Sequence, residues 1–279
     1  MPFPEPPYQV LVLGDVRGHA FLLRRAVRDL GGNPATGELP PDVVVIQVGN
    51  LLGPGPDPAG CVALAQRMLE GSGGCWLQLW GDHEAQMLGG PTLPGRDGAL
   101  QDSRLTRWRT LGAARMAVAV DTPEYGAVLV THAGLTRHKW EAIGSPDDPG
   151  TAAAMLDAEL HDAPAAALAA GEMAGMKPRA AVGVAWASPA ELLSSWDLEE
   201  LPFSQVYGHA SPRHWHRGRW QSQLPDRVRT LGYYDDASHH TDFSWPGGGH
   251  LVCVDAAYGR DEATVPLAPL VLTGEVLGL

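Results

Sequence analysis

Residues 9–19 read QVLVLGDVRGH: an apolar run ends at Gly14, Asp15 follows at once, and Arg17 stands two positions later. The run is rich in β-branched residues and does not alternate strictly, which is typical of a buried strand in a sheet covered on both faces. Five other runs share this character, so six strands are predicted. They are Gln9–Leu13, Val43–Val48, Trp76–Trp80, Ala127–Val130, Gln205–Tyr207 and Leu251–Val254.

Helical patterns separate the first three predicted strands. Residues 20–32 (AFLLRRAVRDLGG) carry apolar side chains at helical spacing until two glycines end the pattern. A second helix is predicted at about Pro58–Leu69. Strands that alternate with helices imply right-handed crossovers, and therefore an α/β fold in which a sheet core or sandwich is flanked by helices. The apolar positions of the first helix are Phe21, Leu22, Ala26, Val27 and Leu30.

Three segments interrupt this alternation. Residues 90–110 are predicted as a loop followed by a polar helix, and residues 221–249 as a long loop or hairpin. Residues 147–200 are rich in alanine and contain no strand pattern, so we expect a helical insertion or cap within a single domain of residues 1–279. A flexible linker is the alternative for residues 147–200, but an apolar helix face opposes it. That face consists of Met155, Leu156, Leu160 and Leu168.

Composition limits the classes of function and the cellular location. The chain has 279 residues and a formal net charge of −12, which opposes a broad surface for extended nucleic acid but allows a small anion in one pocket. No apolar run is long enough to span a bilayer, and the N-terminus does not resemble an export signal. Three distant cysteines suit a reducing compartment, so a cytoplasmic protein is predicted. Nothing supports or excludes a protein partner.

The predicted strands end in a shared way. Five of them are followed directly by an Asp, Asn or His, usually beside a glycine. Because ligands bind at the carboxyl ends of strands in α/β sheets, we expect these side chains to meet at one edge. Oxygen and imidazole donors brought together from distant segments are typical of a metal site. The residues are Asp15, Asn50, Asp82 with His83 and Glu84, His132, and His209.

These motifs resemble those of the calcineurin-like metallophosphoesterases, most closely the phosphoprotein-phosphatase and diadenosine-tetraphosphatase branch. The family order G-D-x-H-G, G-D-x-x-x-R-G-P, G-N-H-E/D, H-A-G and G-H is matched here by GDVRGH, GNLLGPGPD, GDHE, THAGL and YGHASP. AWASP at 185–189 and LVCVDAAYG at 251–259 are also similar to family segments. The resemblance covers about residues 8–260 and depends on five motifs in order.

The resemblance implies a site for two metal ions. Asp15, position 17 and residue 50 would hold the first ion, while residue 50, residue 82, His132 and His209 would hold the second. Water activated by the ions attacks phosphorus in line in this family, and His83 would protonate the leaving oxygen.

The sequence departs from the family motifs at four positions. Arg17 occupies the position of a His in the family, and Asn50 that of the bridging Asp. Asp82 occupies the position of an Asn, and Pro54 that of an Arg that clamps the phosphate. A guanidinium has no lone pair to offer a metal, and it repels a nearby cation by about 4 kcal/mol at intermediate dielectric. The first metal position is therefore expected to be lost.

The second position keeps a plausible donor set. Asp82, His132, His209 and Asn50, with Asp15 nearby, suit one divalent Mn, Fe or Zn ion. Three roles remain open for Arg17: it replaces the first metal and grips a substrate anion, it only pairs with Asp15, or it blocks the site.

Other residues are candidates for catalysis or substrate binding. His83 is the candidate general acid, although it could simply bond a carboxylate such as Glu84 or Asp57. Arg213 and His214 lie in the basic, aromatic stretch SPRHWHRGRW at 211–220, which could recognise a phosphate or a base or could be a solvated loop.

Two functional hypotheses follow. The first is a metal-dependent phosphoester hydrolase with one ion, acting on a small phosphomonoester or nucleotide, in which Asp15, Arg17 and His83 are catalytic. The second is a pseudophosphatase, which keeps the pocket for binding or scaffolding but has lost hydrolysis.

Overall fold

A computed structural model describes residues 3–91, 102–171, 181–258 and 267–278. Its central feature is a sheet of eleven strands. The mixed α/β architecture predicted from the sequence is confirmed, with helices flanking the sheet.

One half of the sheet is parallel and follows the predicted alternation of strands and helices. Strands β1 to β4 lie side by side in chain order, with α1 and α2 as the crossovers between the first three. The strands are β1 (Tyr8–Leu13), β2 (Val43–Gln47), β3 (Trp76–Leu79) and β4 (Ala114–Arg115), and the helices are α1 (Ala20–Asp29), α2 (Pro58–Gly71), α3 (Asp82–Ala85) and α4 (Ser103–Leu111).

The other half of the sheet is mixed. Here β6, β7 and β12 are parallel to one another, whereas β5, β10 and β11 run antiparallel to their neighbours. The strands are β5 (Ala117–Thr122), β6 (Gly126–Thr131), β7 (Ser204–Tyr207), β10 (Gly232–Asp235), β11 (His240–Ser244) and β12 (His250–Cys253). A separate two-stranded hairpin consists of β8 (Arg213–His214) and β9 (Arg219–Trp220).

Strand β13 (Leu270–Leu277) joins the two halves, pairing antiparallel with both β1 and β5. The order across the whole sheet is therefore β10-β11-β12-β7-β6-β5-β13-β1-β2-β3-β4. Neither β13 nor β5 was predicted from the sequence, although β13 lies at the centre of the sheet. Gly274 interrupts its apolar pattern because a Cβ there would stand 1.9 Å from the carbonyl oxygen of Asp121. Close strand packing therefore requires a residue that sequence patterns associate with turns.

All six predicted strands are present, and the first helix corrects one expectation. Leu22, Ala26 and Val27 of α1 are buried as predicted, but Phe21 is 69% exposed. Leu23 occupies the inward position instead, because residues 22, 23, 26 and 27 form one continuous helical face. Residues 92–101, most of the predicted loop before α4, lie outside the described residues.

Between residues 147 and 200, the described residues form three helices joined by turns and coil, with no strand among them. Helix α6 packs on β5 and β6 through Ala152 and Leu156, while Met155, expected on the apolar face, is exposed. The buried Lys139 connects this segment to the core: its Nζ donates to Glu159 Oε1 at 2.6 Å and to the carbonyl oxygen of Ala166 at 3.2 Å. The helices of this half are α5 (Arg137–Ala142), α6 (Pro149–Asp162), α7 (Pro164–Ala167), α8 (Pro189–Ser195) and α9 (Asp226–Arg229).

The segment 221–249 contains α9 and the β10–β11 hairpin, in agreement with one of the two alternatives predicted for it. The three cysteines are buried and unpaired, as expected for small apolar residues. Within the described ranges, no helix is both long enough and apolar enough to cross a bilayer.

Candidate metal centre

The carboxyl ends of the strands bring the predicted side chains to one edge. Asp15 follows β1, Asn50 follows β2, Asp82 begins α3 directly after β3, and His132 and His209 follow β6 and β7. All five side chains are buried. Buried polar groups require partners, so their contacts define what the site can do.

Asp82, His132 and His209 form the centre of the site. One ligand atom from each lies within 4.8 Å of the other two, a geometry that could hold a metal ion. Oδ1 of Asp82 is 3.2 Å from Nε2 of His132 and 3.2 Å from Nδ1 of His209. The two imidazole rings pack edge to face, with their centroids 5.0 Å apart.

The hydrogen bond of His132 determines which of its nitrogens can bind a cation. Its Nδ1 lies 2.8 Å from the carbonyl oxygen of Val48, which can only accept, so Nδ1 carries the proton and donates. In the neutral ring, Nε2 then directs a lone pair at an Asp82 oxygen that is also an acceptor. A proton or a metal ion must lie between these two atoms. A backbone carbonyl that fixes the tautomer is a common support for histidine ligands.

His209 adds an atom that fits a metal site. Its Nε2 is buried and has no hydrogen-bond partner among the described residues. An unpaired buried nitrogen is rare in proteins and indicates a missing partner. Two imidazoles and one carboxylate suit a single Mn, Fe or Zn ion, so the side chains present fit the predicted type of cofactor. Asp15 lies outside the group of three.

Asn50 links the two aspartates through its amide. Its Nδ2 donates to Asp15 Oδ2 at 2.8 Å and to Asp82 Oδ1 at 2.7 Å, while its Oδ1 accepts from the backbone N–H of His83 at 3.1 Å. Asn50 thus places an amide between two carboxylates. In the family motif, the residue at this position is a carboxylate that bridges two metal ions. Asn50 therefore acts here as a donor, and its predicted role as a metal ligand would require its amide oxygen to leave His83.

Arg17 lies among oxygen acceptors beside this centre. Its Nη2 donates to the carbonyl oxygen of His209 and to Asp255 Oδ2 at 3.2 Å, and its Nε lies 3.4 Å from Asp15 Oδ2. Its side chain is 23% exposed, so part of it reaches solvent. The guanidinium therefore supplies positive charge between two buried carboxylates.

Asp255 is a site residue that the sequence analysis missed. It follows β12 and is 1% exposed, and besides Arg17 it accepts from the backbone N–H of Ala257 at 2.9 Å. The signal was present, because the strand Leu251–Val254 also ends directly before a carboxylate. A sixth strand end therefore contributes to the same site.

Three residues of the site have an unusual backbone. Arg17, Asn50 and His209 adopt φ angles of 47°, 55° and 64°, a left-handed conformation that side chains other than glycine rarely adopt. Such conformations persist only where the surrounding structure fixes them, and they are concentrated at functional sites. Their convergence at the strand ends supports a functional role for this edge.

Close backbone packing explains why glycines flank the motifs. A Cβ at Gly208 would stand 2.5 Å from Asp15 Oδ1, and one at Gly81 would stand 2.4 Å from Asn50 Oδ1. Glu84 connects the same loops, accepting backbone N–H groups of Asn50 and Leu52, each at 2.8 Å. Burial raises the pKa of Glu84 to about 7 despite these bonds.

Burial and neighbouring charges shift the pKa values of the acidic and basic side chains of the site. Burial alone would raise the pKa values of Asp82 and Asp15, but cationic neighbours outweigh it and lower both. The main neighbours are His209 for Asp82, and His132 and Arg17 for Asp15. Burial also opposes protonation of His132, yet Asp15 and Asp82 raise its pKa to about 9. At Asp255 burial prevails and raises the pKa in spite of Arg17.

His83 lies at the edge of the site and is 7% exposed. Its Nε2 is 3.9 Å from Asp82 Oδ2, and its backbone N–H is held by Asn50. The Glu84 carboxylate is engaged by backbone N–H groups. Among the described residues, the carboxylate within 4.0 Å of the His83 ring is that of Asp82, and not that of Glu84 or Asp57.

A cavity of about 370 Å³ adjoins the centre. Arg17 and Asp255 line one part of it, and Arg213 and His214, the other predicted substrate-binding residues, line another. Trp215, His216, Arg217 and His239 also line it, so the lining carries three arginines and three histidines against one carboxylate, although the whole chain is acidic. Such a local field can attract an anion to an acidic protein.

Comparison with known proteins relates this arrangement to solved folds. No family model matches the sequence, and neither does any curated protein. A structure of a cold-active protein tyrosine phosphatase is 14% identical and overlaps 91% of this chain and 73% of its own, with a TM-score of 0.53. The structure of a mutant of a cold-active protein tyrosine phosphatase is 16% identical. It overlaps 91% of this chain and 74% of its own, with a TM-score of 0.50.

A putative diadenosine tetraphosphatase is 16% identical and overlaps 99% of this chain and 97% of its own, with a TM-score of 0.40. The first two structures establish the fold and leave the activity open. The fold expected from the strand-end motifs is thus confirmed at the level of architecture: this chain shares the mixed α/β fold of the cold-active protein tyrosine phosphatase.

Proposed function

We propose that this protein is a metal-dependent phosphoester hydrolase that acts on a small phosphomonoester or nucleotide with one divalent transition metal ion. The observation that carries the proposal is the buried group of Asp82, His132 and His209, which could bind a metal. A bound ion of this kind polarises a phosphoryl oxygen and lowers the pKa of water. The metal analysis that tests the proposal identifies the ion as Mn, Fe or Zn.

The chain's own residues have distinct roles in this proposal. Arg17 holds an oxygen of the phosphate, because a guanidinium fixed by Asp15 and Asp255 is a preorganised anion-binding group. It supplies the positive charge that a first metal ion would otherwise give. Asp15 keeps Arg17 oriented. Its Oδ1 also accepts a hydrogen bond from the backbone N–H of His209, which holds the Asp15 side chain in place.

His83 serves as the general acid, donating a proton to the leaving oxygen. Its low exposure and its position directly after Asp82 support this role. Arg213 and His214 bind the part of the substrate that extends into the adjoining cavity. The unpaired cysteines support a cytoplasmic location, and no extended nucleic acid, membrane or protein partner is part of the proposal.

The test is a metal count combined with an activity assay. The protein is purified without added metal, its transition metal content is measured per chain, and hydrolysis of p-nitrophenyl phosphate is followed with Mn²⁺ present. We expect about one ion per chain and turnover. His132→Ala should remove both, whereas His138→Ala, at an exposed histidine outside the site, should change neither. Turnover that persists in His132→Ala would refute the proposal.

A pseudophosphatase is the second candidate, and the contacts of Arg17 and Asn50 favour it. Both side chains hold the acidic residues in place without a metal ion, so the pocket can be stable without metal chemistry. In this case the natural protein should bind no metal and show no turnover. Arg17→His combined with Asn50→Asp should then introduce both, because the pair restores an imidazole and a bridging carboxylate.

A further inference from the structure

Arg213 is a buried cation without an acidic partner. Its residue is 7% exposed, and in the described ranges no carboxylate lies within 4.0 Å of its guanidinium. Its Nε is buried and has no hydrogen-bond partner there. Arginine is almost never buried unless it is paired, so this unused donor requires an explanation.

Aromatic rings account for the position of Arg213 but not for its hydrogen-bonding capacity. Its Cζ lies 3.5 Å from the ring centroid of Tyr234, 5.4 Å from that of Trp215 and 5.6 Å from that of Trp220. Cation–π attraction favours a guanidinium at such distances. Ring faces do not replace the acceptors that guanidinium N–H groups need, so a place for an acceptor remains.

A second unpaired donor lies in the same cavity wall. Nε1 of Trp215 is buried and has no partner among the described residues. Trp215 and Arg213 both line the cavity that Arg17 and Asp255 border. Two donors without acceptors fit a ligand group that only accepts, which is the character of a phosphate.

The packing of Trp215 argues against a base stacked on it. One face of the indole already stacks on His239, with centroids 4.2 Å apart and the planes 4° from parallel. Arg213 lies near the same indole at the distance given above. Charge and hydrogen bonding, rather than a free aromatic face, are what this part of the cavity offers.

We propose that Arg213 and Trp215 form a second anion-binding subsite, which takes a phosphate group of the substrate other than the one that reacts. The inference rests on the proposed function and narrows it to substrates that carry two phosphate groups, as in a diphosphate or bisphosphate ester. Arg17 holds the reacting phosphate at the metal centre, while Arg213 holds the second within the same cavity. Arg217 adds positive charge around it, and His214 and His216 line the same cavity.

The test compares the binding of inorganic pyrophosphate and orthophosphate by calorimetry. We expect the wild-type protein to bind pyrophosphate at least tenfold more tightly. Arg213→Gln should reduce pyrophosphate affinity at least tenfold and leave orthophosphate affinity within twofold. Trp215→Phe should give a smaller loss in the same direction. Arg219→Gln, in the same hairpin but outside the cavity lining, is the matched control and should change neither affinity.

Two further variants separate the possible outcomes. Arg213→Lys keeps the charge, so if Arg213→Gln does not fold, Arg213→Lys should still lose several-fold in pyrophosphate preference because lysine lacks the guanidinium fork. His132→Ala should keep the Arg213-dependent preference while it loses metal, which also controls for chelation by pyrophosphate. Equal weakening of both anions by substitution of Arg213, or no weakening at all, overturns the subsite. A preference without turnover would overturn the proposed hydrolase and leave the subsite standing.

Discussion

Arg17 and Asp255 are 238 positions apart in the sequence, yet Nη2 of Arg17 and Oδ2 of Asp255 are 3.2 Å apart in the structure. Asp255 and Asp15 together hold a single guanidinium at the strand ends, beside a carbonyl oxygen of His209. The position of the proposed anion-binding group is therefore set by a residue far along the chain from Arg17.

Asp255→Asn should loosen this contact. Hydrogen bonds to charged groups contribute about 1.5–3 kcal/mol, so we expect kcat/KM for p-nitrophenyl phosphate to fall at least about tenfold. In an Arg17→Gln background the same substitution should have less than a twofold effect, since its target is gone. Steady-state kinetics of the four proteins give the coupling. Equal losses in both backgrounds would contradict a positioning role for Asp255.

His83→Gln tests the proposed general acid through the leaving group. General acids contribute roughly 10²–10⁴-fold when the leaving oxygen needs a proton. Turnover of an alkyl phosphate should therefore fall about 100-fold or more, while p-nitrophenyl phosphate, whose leaving group departs without protonation, should be affected much less. His138→Gln serves as the control at an exposed position. A uniform loss on both substrates would assign His83 a structural role.

Lys139→Met should destabilise the fold by leaving Glu159 without its cation in a largely buried position. Lys139 is 2% exposed, and breaking such a pair typically costs about 3–5 kcal/mol. Urea unfolding should show this loss, and Lys139→Met with Glu159→Leu should recover most of it because no unpaired charge remains. Arg25→Gln, in the exposed pair with Asp29, should leave the unfolding midpoint in place. A double variant as unstable as the single one would contradict this account.

His240, which is not one of the candidate metal ligands, predicts a pH dependence of stability. Burial lowers its pKa to about 4, although its contact with the Ala268 carbonyl oxygen and the charge of Asp235 oppose the shift, and His239 adds to it. Between pH 4 and about 6.5 the unfolded chain therefore binds more protons than the native one, so the free energy of unfolding falls as the pH drops through this window.

His240→Gln removes this titration. Between pH 7 and pH 5 the variant should lose less stability than the wild type, by on the order of 1 kcal/mol. His138→Gln, at an exposed histidine, should follow the wild type. Denaturant unfolding at the two pH values provides the comparison, and identical slopes for His240→Gln and the wild type would contradict the prediction.

The sequence was sufficient to predict the group of Asp82, His132 and His209, because each follows an apolar run that can only be a buried strand. The alternation of strands and helices likewise predicted the parallel half of the sheet. These features depend on local patterns, which one sequence displays directly.

What the sequence could not provide was the partner of each side chain. Nothing in GDVRGH indicates that Arg17 contacts Asp255, a residue more than two hundred positions away. The amide orientation of Asn50 also depends on where Asp15, Asp82 and the His83 backbone meet. Strand β13 was missed for a similar reason, since Gly274 is required by a tight contact with β5 and not by a turn.

The central place of β13 also bears on how the chain is made. Strand β1 leaves the ribosome well before its partner, because the neighbour that pairs with its Val10 is Leu272, which emerges more than 250 residues later. Until then β1 and β5 each have an open edge, and such edges can pair with other chains. Newly synthesised protein should therefore depend on chaperones, and truncation before residue 270 should cause aggregation rather than a modest loss of stability.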